Sequence, residues 1–282
     1  MFSLSRLFPR SPRDSIPDDA SDKSFQATEF FPSVFDVLKV RFLLQWKLKE
    51  GLPVELIDAI IDEAEYWPST ECHMEDETRR VIHKDRDQVL MKTVPLCFDR
   101  AILQQSESPS ALPHRSEHPC RKIVFQLASH DQGGGGTRGG DMYNESWTWF
   151  DTEVIHNAHT LGMYSENTEN EILDNERGQI EKSYAPDDEL LLPRGNKLQV
   201  NRVRSNETHN VNITWSYLDS VHPDSDEAFG IERSQGRGRL TLDGHGVREM
   251  KIGDSIAVWA RARFPGWSNY VYSASVRVFW AI

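Results

Sequence analysis

Asn210-Val211-Asn212-Ile213-Thr214-Trp215-Ser216-Tyr217 alternates polar and apolar residues without a break. In an extended chain successive side chains point to opposite faces, so Val211, Ile213, Trp215 and Tyr217 share one side, as in a half-buried antiparallel strand. The same period of two returns in Ile256, Val258, Ala260, Ala262 and Phe264. It returns again in Tyr272, Ala274, Val276, Val278 and Trp280, opposite Ser273, Ser275 and Arg277. Shorter runs at 123–127, 147–155, 198–204 and 239–242 bring the set to about seven strands separated by turn-rich loops. Strands in succession without intervening helices predict an antiparallel β-sandwich, of jelly-roll or galactose-binding-like plan, rather than a parallel α/β sheet. This β domain is placed at residues 120–282.

Upstream the period is helical. Val34, Phe35, Leu38, Phe42, Leu43 and Trp46 recur at steps of three and four, and Gly51 ends that helix. A second helix opens at Leu52-Pro53, with Leu56, Ile57, Ile60, Ile61 and Ala64 as its apolar face and Glu55, Asp58, Asp62, Glu63 and Glu65 toward solvent or the helix start. The two make a helical hairpin, 25–67, whose stripe must be buried against something. Residues 68–119 read as a connector: proline-rich, charge-dense over 75–87, loop-like over 106–116, with one weak strand candidate in Gln88-Val89-Leu90-Met91-Lys92. Residues 1–24, rich in Ser, Pro, Arg and Asp, hold too few apolar side chains to offset the entropy of ordering and predict a disordered tail.

Composition excludes several functions. Forty-four acidic against 32 basic residues among 282 leave a formal charge of −12, which repels a phosphate backbone, so nucleic acid is not expected as a partner. The best apolar run, 34–48, is broken by Asp36, Lys39, Arg41 and Lys47, so no membrane span is expected. Cys72, Cys97 and Cys120 lack CxxC spacing and read as reduced thiols of a cytoplasmic or nuclear protein. Arg6, Arg10 and Arg13 precede the first acid, Asp14, as in a mitochondrial presequence, but two prolines interrupt any amphipathic helix there. No apolar core of secretory type follows those charges.

The segment Leu52-Pro53-Val54-Glu55-Leu56-Ile57-Asp58-Ala59-Ile60 resembles the opening of an F-box, whose LPxEL helix docks on the linker subunit of a cullin-type ubiquitin ligase. The resemblance covers about a dozen residues and implies a degenerate F-box-type adaptor that docks through Leu52, Pro53, Leu56 and Ile60. An F-box continues through two more helices, whereas here Trp67-Pro68 stops the second helix. A plain amphipathic hairpin packed on the protein's own core is the alternative. Further on, Arg121-Lys122-Ile123-Val124-Phe125, Ser129-His130-Asp131-Gln132-Gly133, Trp147-Thr148-Trp149-Phe150 and Ala260-Arg261-Ala262-Arg263-Phe264-Pro265-Gly266-Trp267 together resemble a family of filamentous-fungal proteins. In that family an LPxEL helix or ankyrin repeats precede the same β domain. The resemblance runs over roughly 119–282, implies the fold, and attaches no activity to it. One departure stands out: the family usually has Gly-Trp after the glutamine, and here Gly133 is followed by Gly134.

The loops 131–140 and 264–269 join strands, where a rigid sandwich presents binding residues, and they are expected at one end of it. Phe125 and Phe264 are read as inward positions on neighbouring strands. His130, Asp131, Gln132, Trp259, Arg261, Arg263, Trp267 and Asn269 are the candidate ligand-binding residues, because aromatics beside arginines stack on sugars or bind peptides. Trp147 and Trp149, two apart, are read as core. A glycan is therefore an alternative ligand, and a hydrolase using His130 and Asp131, with His156, a second alternative. Neither is favoured over a non-enzymatic interaction protein, since no serine or cysteine sits in a nucleophile elbow. Gly134-x-Gly136-x-x-Gly139 matches a dinucleotide loop in spelling, but the following segment reads as a strand rather than a helix. His156 and His159, or His114, His118 and Cys120, supply no complete ligand set, so neither a metal nor a cofactor is expected.

Overall fold

The computed structural model describes residues 30–47, 50–74, 79–84, 86–106, 108–134, 142–160 and 197–282. The predicted tail, 1–24, and residues 135–140 of the glycine run lie outside the described residues.

The alternating segments pair into two antiparallel sheets that pack as a β-sandwich. The first has the order β1-β9-β4-β7, with β1 at Ser69–His73, β4 at Cys120–His130, β7 at His209–Ser216 and β9 at Ser268–Trp280. Beyond β1, β2 at Arg80–His83 also pairs with β9. The second sheet runs β3-β8-β5-β6, with β3 at Gln88–Lys92, β5 at Thr148–Ile155, β6 at Gln199–Val200 and β8 at Ser255–Ala262. Period-two patterning then dictates the core. Ile123, Phe125, Ile213, Val276 and Val278 of the first sheet share one buried cluster with Phe150, Ile256, Val258 and Ala260 of the second. Each large side chain taken from water there contributes about 1.5–3 kcal/mol.

The stretch read as a connector, 68–119, carries three strands and the short helix α3, Arg100–Gln105. The weak candidate at Gln88–Lys92 is β3, on the edge beside β8. The other two escaped notice because Ser69–His73 and Arg80–His83 are short edge strands, each burying a single side chain, Cys72 or Ile82. The run 239–242, read as a strand, is a 3₁₀ turn, Arg239–Thr241, followed by helix α5, His245–Arg248. Four residues of alternation do not separate the two periods. Helix α4, Asp226–Gln235, begins at a Ser225 cap and ends at Gly236 in the left-handed conformation. Of 198–204 only Gln199–Val200 pairs. In β9 the register slips opposite Ala128 and Ser129, so Tyr272 is the extra residue of a bulge and points outward.

The hairpin consists of α1, Val34–Trp46, and α2, Val54–Glu63. A reciprocal capping box between Ser33 and Asp36 starts α1. α1 buries the side opposite to the one expected, and α2 buries only Ile57 and Ile61 of its expected apolar face, rotated so that Leu56 and Ile60 are left outside. Val37 of α1 and Ile57 and Ile61 of α2 enter the core, whereas Phe35, Leu38, Phe42, Leu43 and Trp46 face solvent. The reason is electrostatic. Asp58 and Asp62, read as solvent-facing acids, turn inward: Asp58 meets Arg41 at 2.5 Å and Arg115 at 3.4 Å, while Asp62 pairs with Arg115 and lies 3.7 Å from Arg121. Arg41 also donates to the Ile282 carbonyl at 2.8 Å, and Trp67 donates its indole N–H to Asp62 at 2.9 Å.

Gly244 sets where α5 lies. Its φ is +71°, and a Cβ there would sit 2.7 Å from the carbonyl oxygens of Ser216 and Asp219. Gly244→Ala should therefore cost about 1–3 kcal/mol in a denaturant titration. A change below about 0.5 kcal/mol would show that this turn is free to shift.

Candidate functional site

β4 ends at His130 where β9 begins, and His130 pairs with Tyr270 across the ladder. The loops after Asp131 and before Ser268 therefore meet at one end, where the Ser268 N–H donates to the Gln132 side-chain carbonyl at 3.2 Å. The route differs from the expected one. Phe125 lies on β4 and Phe264 two residues past β8, strands of different sheets, and the loops are joined through β9. Phe264 is not inward but 37% exposed, edge-on to half-buried Trp147 with centroids 4.5 Å apart.

His130 and Asp131 are buried there. The His130 Nδ1 contacts the Asp131 backbone carbonyl, not its carboxylate, and Nε2 lies 3.0 Å from the Tyr272 hydroxyl. A carbonyl only accepts, so Nδ1 carries the proton and Nε2 accepts. The Asp131 carboxylate accepts from the Gly133 N–H at 2.8 Å and from the Arg204 N–H. These bonds tie the loop down. They do not make Asp131 the orienting partner of a catalytic histidine. Burial pushes the Asp131 carboxyl above the ordinary range, against the pull of its backbone donors. Its contribution to stability is thus fully present below the usual 3.8 and is lost as pH rises through the raised folded value. Carboxyl-carbon NMR should find Asp131 titrating above exposed Asp36, whose carboxylate the Ser33 hydroxyl and amide hold low. The reverse order would contradict the bonding described.

Trp259 and Arg261 of β8, and Arg263 just past its end, lie on the outer side of the second sheet, beside β5; Trp259 and Arg263 are buried and Arg261 is half-buried, none of them exposed. Trp149 pairs with Arg261 and Asp151 with Trp259. Arg261 meets Asp151 at 2.6 Å and Asp87 at 2.8 Å; Trp149 donates to Asp151 at 3.0 Å and Trp259 to Glu153 at 3.0 Å. Lys197 and Arg263, 2% and 1% exposed, both lie over the Trp149 ring, at 4.4 and 5.2 Å from its centroid. Burial pulls the Lys197 ammonium below its usual range. Arg261 is also penalised by burial, but the attraction of Asp151 and Asp87 outweighs this and raises it. Trp149 is therefore buried as expected, but inside a cluster of charges rather than between the sheets.

Asn269 is also internal. It donates to the Trp149 and Arg261 carbonyls at 3.2 and 3.4 Å and accepts from Asn201 at 2.9 Å. Asn201 in turn accepts from Ser129 and donates to Thr148, so this buried chain joins β4, β5 and β9. Lys197 carried no sequence signal because it lies just before the run read as a strand, and Asn201, inside that run, had none as a site residue because its partners are far away in sequence. Of the eight candidate ligand residues, Gln132 and Trp267 remain half-buried at the loop end.

The hairpin residues are placed differently. Leu52 is half-buried, Pro53 is exposed, and Leu56 and Ile60 are 53% and 44% exposed, although Ile57 and Ile61 beside them are buried. On α1, Phe35, Phe42 and Trp46 are 71%, 53% and 66% exposed. Their spacing of seven and four residues puts these three on one side of the helix, opposite Val37 and half-buried Leu44. That arrangement had a signal in the sequence: with Val37, Val40 and Leu44 included, α1 is apolar all round, and one face must be left over once the other is packed.

Among the described residues, no group of three or more His, Cys, Asp or Glu side chains is arranged to hold a metal ion, and no helix is long and apolar enough to cross a membrane. His156 lies 3.1 Å from Asp254, and His159 stacks on Phe98. Comparison with protein-family models, with curated proteins and with solved structures finds no match to this chain. The fold itself defines a β-sandwich protein with an attached helical hairpin.

Proposed function

We propose that the chain is a non-enzymatic interaction protein whose hairpin docks a protein partner, with the sandwich as its rigid support and second recognition surface. The observation that carries this reading is the outward apolar side of α1 and α2: Phe35, Phe42, Trp46, Leu56 and Ile60 stay in water while the ion pairs of Asp58 and Asp62 fix the other side inward. Large apolar side chains grouped in this way on a folded protein mark a contact surface. The LPxEL resemblance at Leu52, Pro53 and Leu56 suggests the ubiquitin-ligase linker subunit as the partner, and a cytoplasmic or nuclear setting. Sugar binding is not favoured, because Arg263 and Asn269 are buried in internal contacts.

Affinity purification of the full chain tests this. The linker subunit should be recovered with the wild-type chain and lost with Leu56→Asp/Ile60→Asp, whose melting temperature should change little because both positions face water. An insoluble or strongly destabilised double variant would mean that the stripe belongs to the protein's own core. A glycan-array signal without linker recovery would transfer recognition to the sandwich.

A further inference from the structure

The end of the sandwich where Gln132 meets Ser268 carries three large aromatic side chains, Trp147, Phe264 and Trp267, that belong to neither buried apolar cluster. Residues 264–267 form a tight turn, closed by the Trp267 N–H donating to the Phe264 carbonyl at 3.1 Å, with Pro265 and Gly266 at its tip and Gly266 at φ +84°. A Cβ at Gly266 would meet nothing within 4 Å, so the tip stands in open space. Phe264 at one end of the turn lies edge-on to half-buried Trp147. Trp267 at the other end is half-buried and precedes Ser268, whose N–H is held by the Gln132 side-chain carbonyl.

A second observation concerns the polar atoms of the same side chains. Trp149 and Trp259 donate their indole N–H groups to Asp151 and Glu153. Those of Trp147 and Trp267 have no hydrogen-bond partner among the described residues, and neither is shut away from solvent as that of Trp215 is. The Gln132 oxygen is taken by Ser268, which leaves its amino group to donate. These side chains therefore offer aromatic rings and N–H donors. A proline-rich peptide is the complement: in the polyproline II form it has no internal hydrogen bonds, its carbonyls are open to solvent, and proline itself has no N–H to satisfy. A sugar fits less well, because its hydroxyls donate as well as accept.

We propose that this end of the sandwich binds a proline-rich segment of a protein partner, its prolines packed on Trp147, Phe264 and Trp267 and its carbonyls received by the two indole N–H groups and Gln132. The site rests on the sandwich being a second recognition surface, but its test uses no linker subunit, so its failure is distinct from a failure of hairpin docking. Indole N–H resonances of the isotope-labelled full chain, assigned with Trp147→Phe and Trp267→Phe, are followed by NMR during titration with decaproline, with a decapeptide of alternating glycine and serine, and with cellohexaose. Decaproline should shift the Trp147 and Trp267 resonances saturably, with half-saturation below about 1 mM, and the glycine-serine peptide should shift neither. Trp267→Phe keeps a ring and loses the donor, and should weaken binding about five- to tenfold. Gln132→Glu keeps the oxygen that Ser268 uses and loses the amino group, and should weaken binding by a similar factor. No saturable shift with decaproline, an equal response to the glycine-serine peptide, or undiminished binding by both variants would each overturn the proposal. A saturable shift with cellohexaose alone would also overturn it, and would assign this end to a glycan.

Discussion

A chain shortened to residues 116–282 should lose cooperative folding, although the sequence alone places the whole β domain within it. The shortened chain lacks β1 and β2, which cover one edge of β9, and β3, which covers β8. It also lacks Ile57, Ile61, Trp67, Ile82, Leu90 and Leu96, all within the main buried cluster. At about 1.5–3 kcal/mol for each large side chain removed from water, the loss is comparable with the 5–15 kcal/mol by which a typical domain is stable. Two long strands would be left with open edges, which invites association. Far-UV circular dichroism with thermal melting should show a broad or absent transition and concentration-dependent aggregation. A sharp, reversible transition would contradict this, and would mean that the first three strands are ornaments on a self-sufficient sandwich.

Replacing Arg261 with methionine should destabilise the full chain by about 3–5 kcal/mol, because it leaves the carboxylates of Asp87 and Asp151 in the protein with one fewer cation between them. Lys197 and Arg263 remain nearby, 3.5 Å from Asp151 and 3.8 Å from Asp87, and limit the loss to that range. Arg261→Lys should recover only part of it, since one ammonium does not reproduce a planar guanidinium spanning two carboxylates. Denaturant titration at neutral pH measures both. A loss below about 1 kcal/mol for the methionine variant would show that water, not Arg261, neutralises the cluster.

Where burial follows period two, the fold was legible. Val211–Ser216, Ile256–Ala262 and the run ending at Trp280 sit in strands, and β3 was visible even as five weakly alternating residues. What could not be read were elements defined by a partner far away in sequence. β1 and β2 are polar stretches that count as strands only because β9 offers them an edge. Asp58 and Asp62 looked like solvent-facing acids because their partners lie on other elements: Arg41 on α1 for Asp58, and Arg115 and Arg121, more than fifty residues away, for the pair. Their inward turn decides which side of the hairpin is left exposed.

The candidate site was legible in parts. That the two loops share an end was anticipated, though by the wrong strand neighbours. The Trp-Arg face of β8 was expected in solvent because alternation gives a residue's side of the sheet but not what covers that side. Lys197 and Asn201 follow from three-dimensional juxtaposition, for which a single sequence has no periodic signature.

The claim that the hairpin's outward face is a docking surface is tested most directly by isothermal titration of the full chain with purified ubiquitin-ligase linker subunit, using wild type and Leu56→Asp/Ile60→Asp of matched melting temperature. Saturable one-to-one binding by the wild type, weakened at least about a hundredfold in the variant, is the expected result, since each aliphatic anchor removed from an interface centre costs about 1.5–3 kcal/mol. No heat of binding with the wild type, or the same affinity in both, would contradict it.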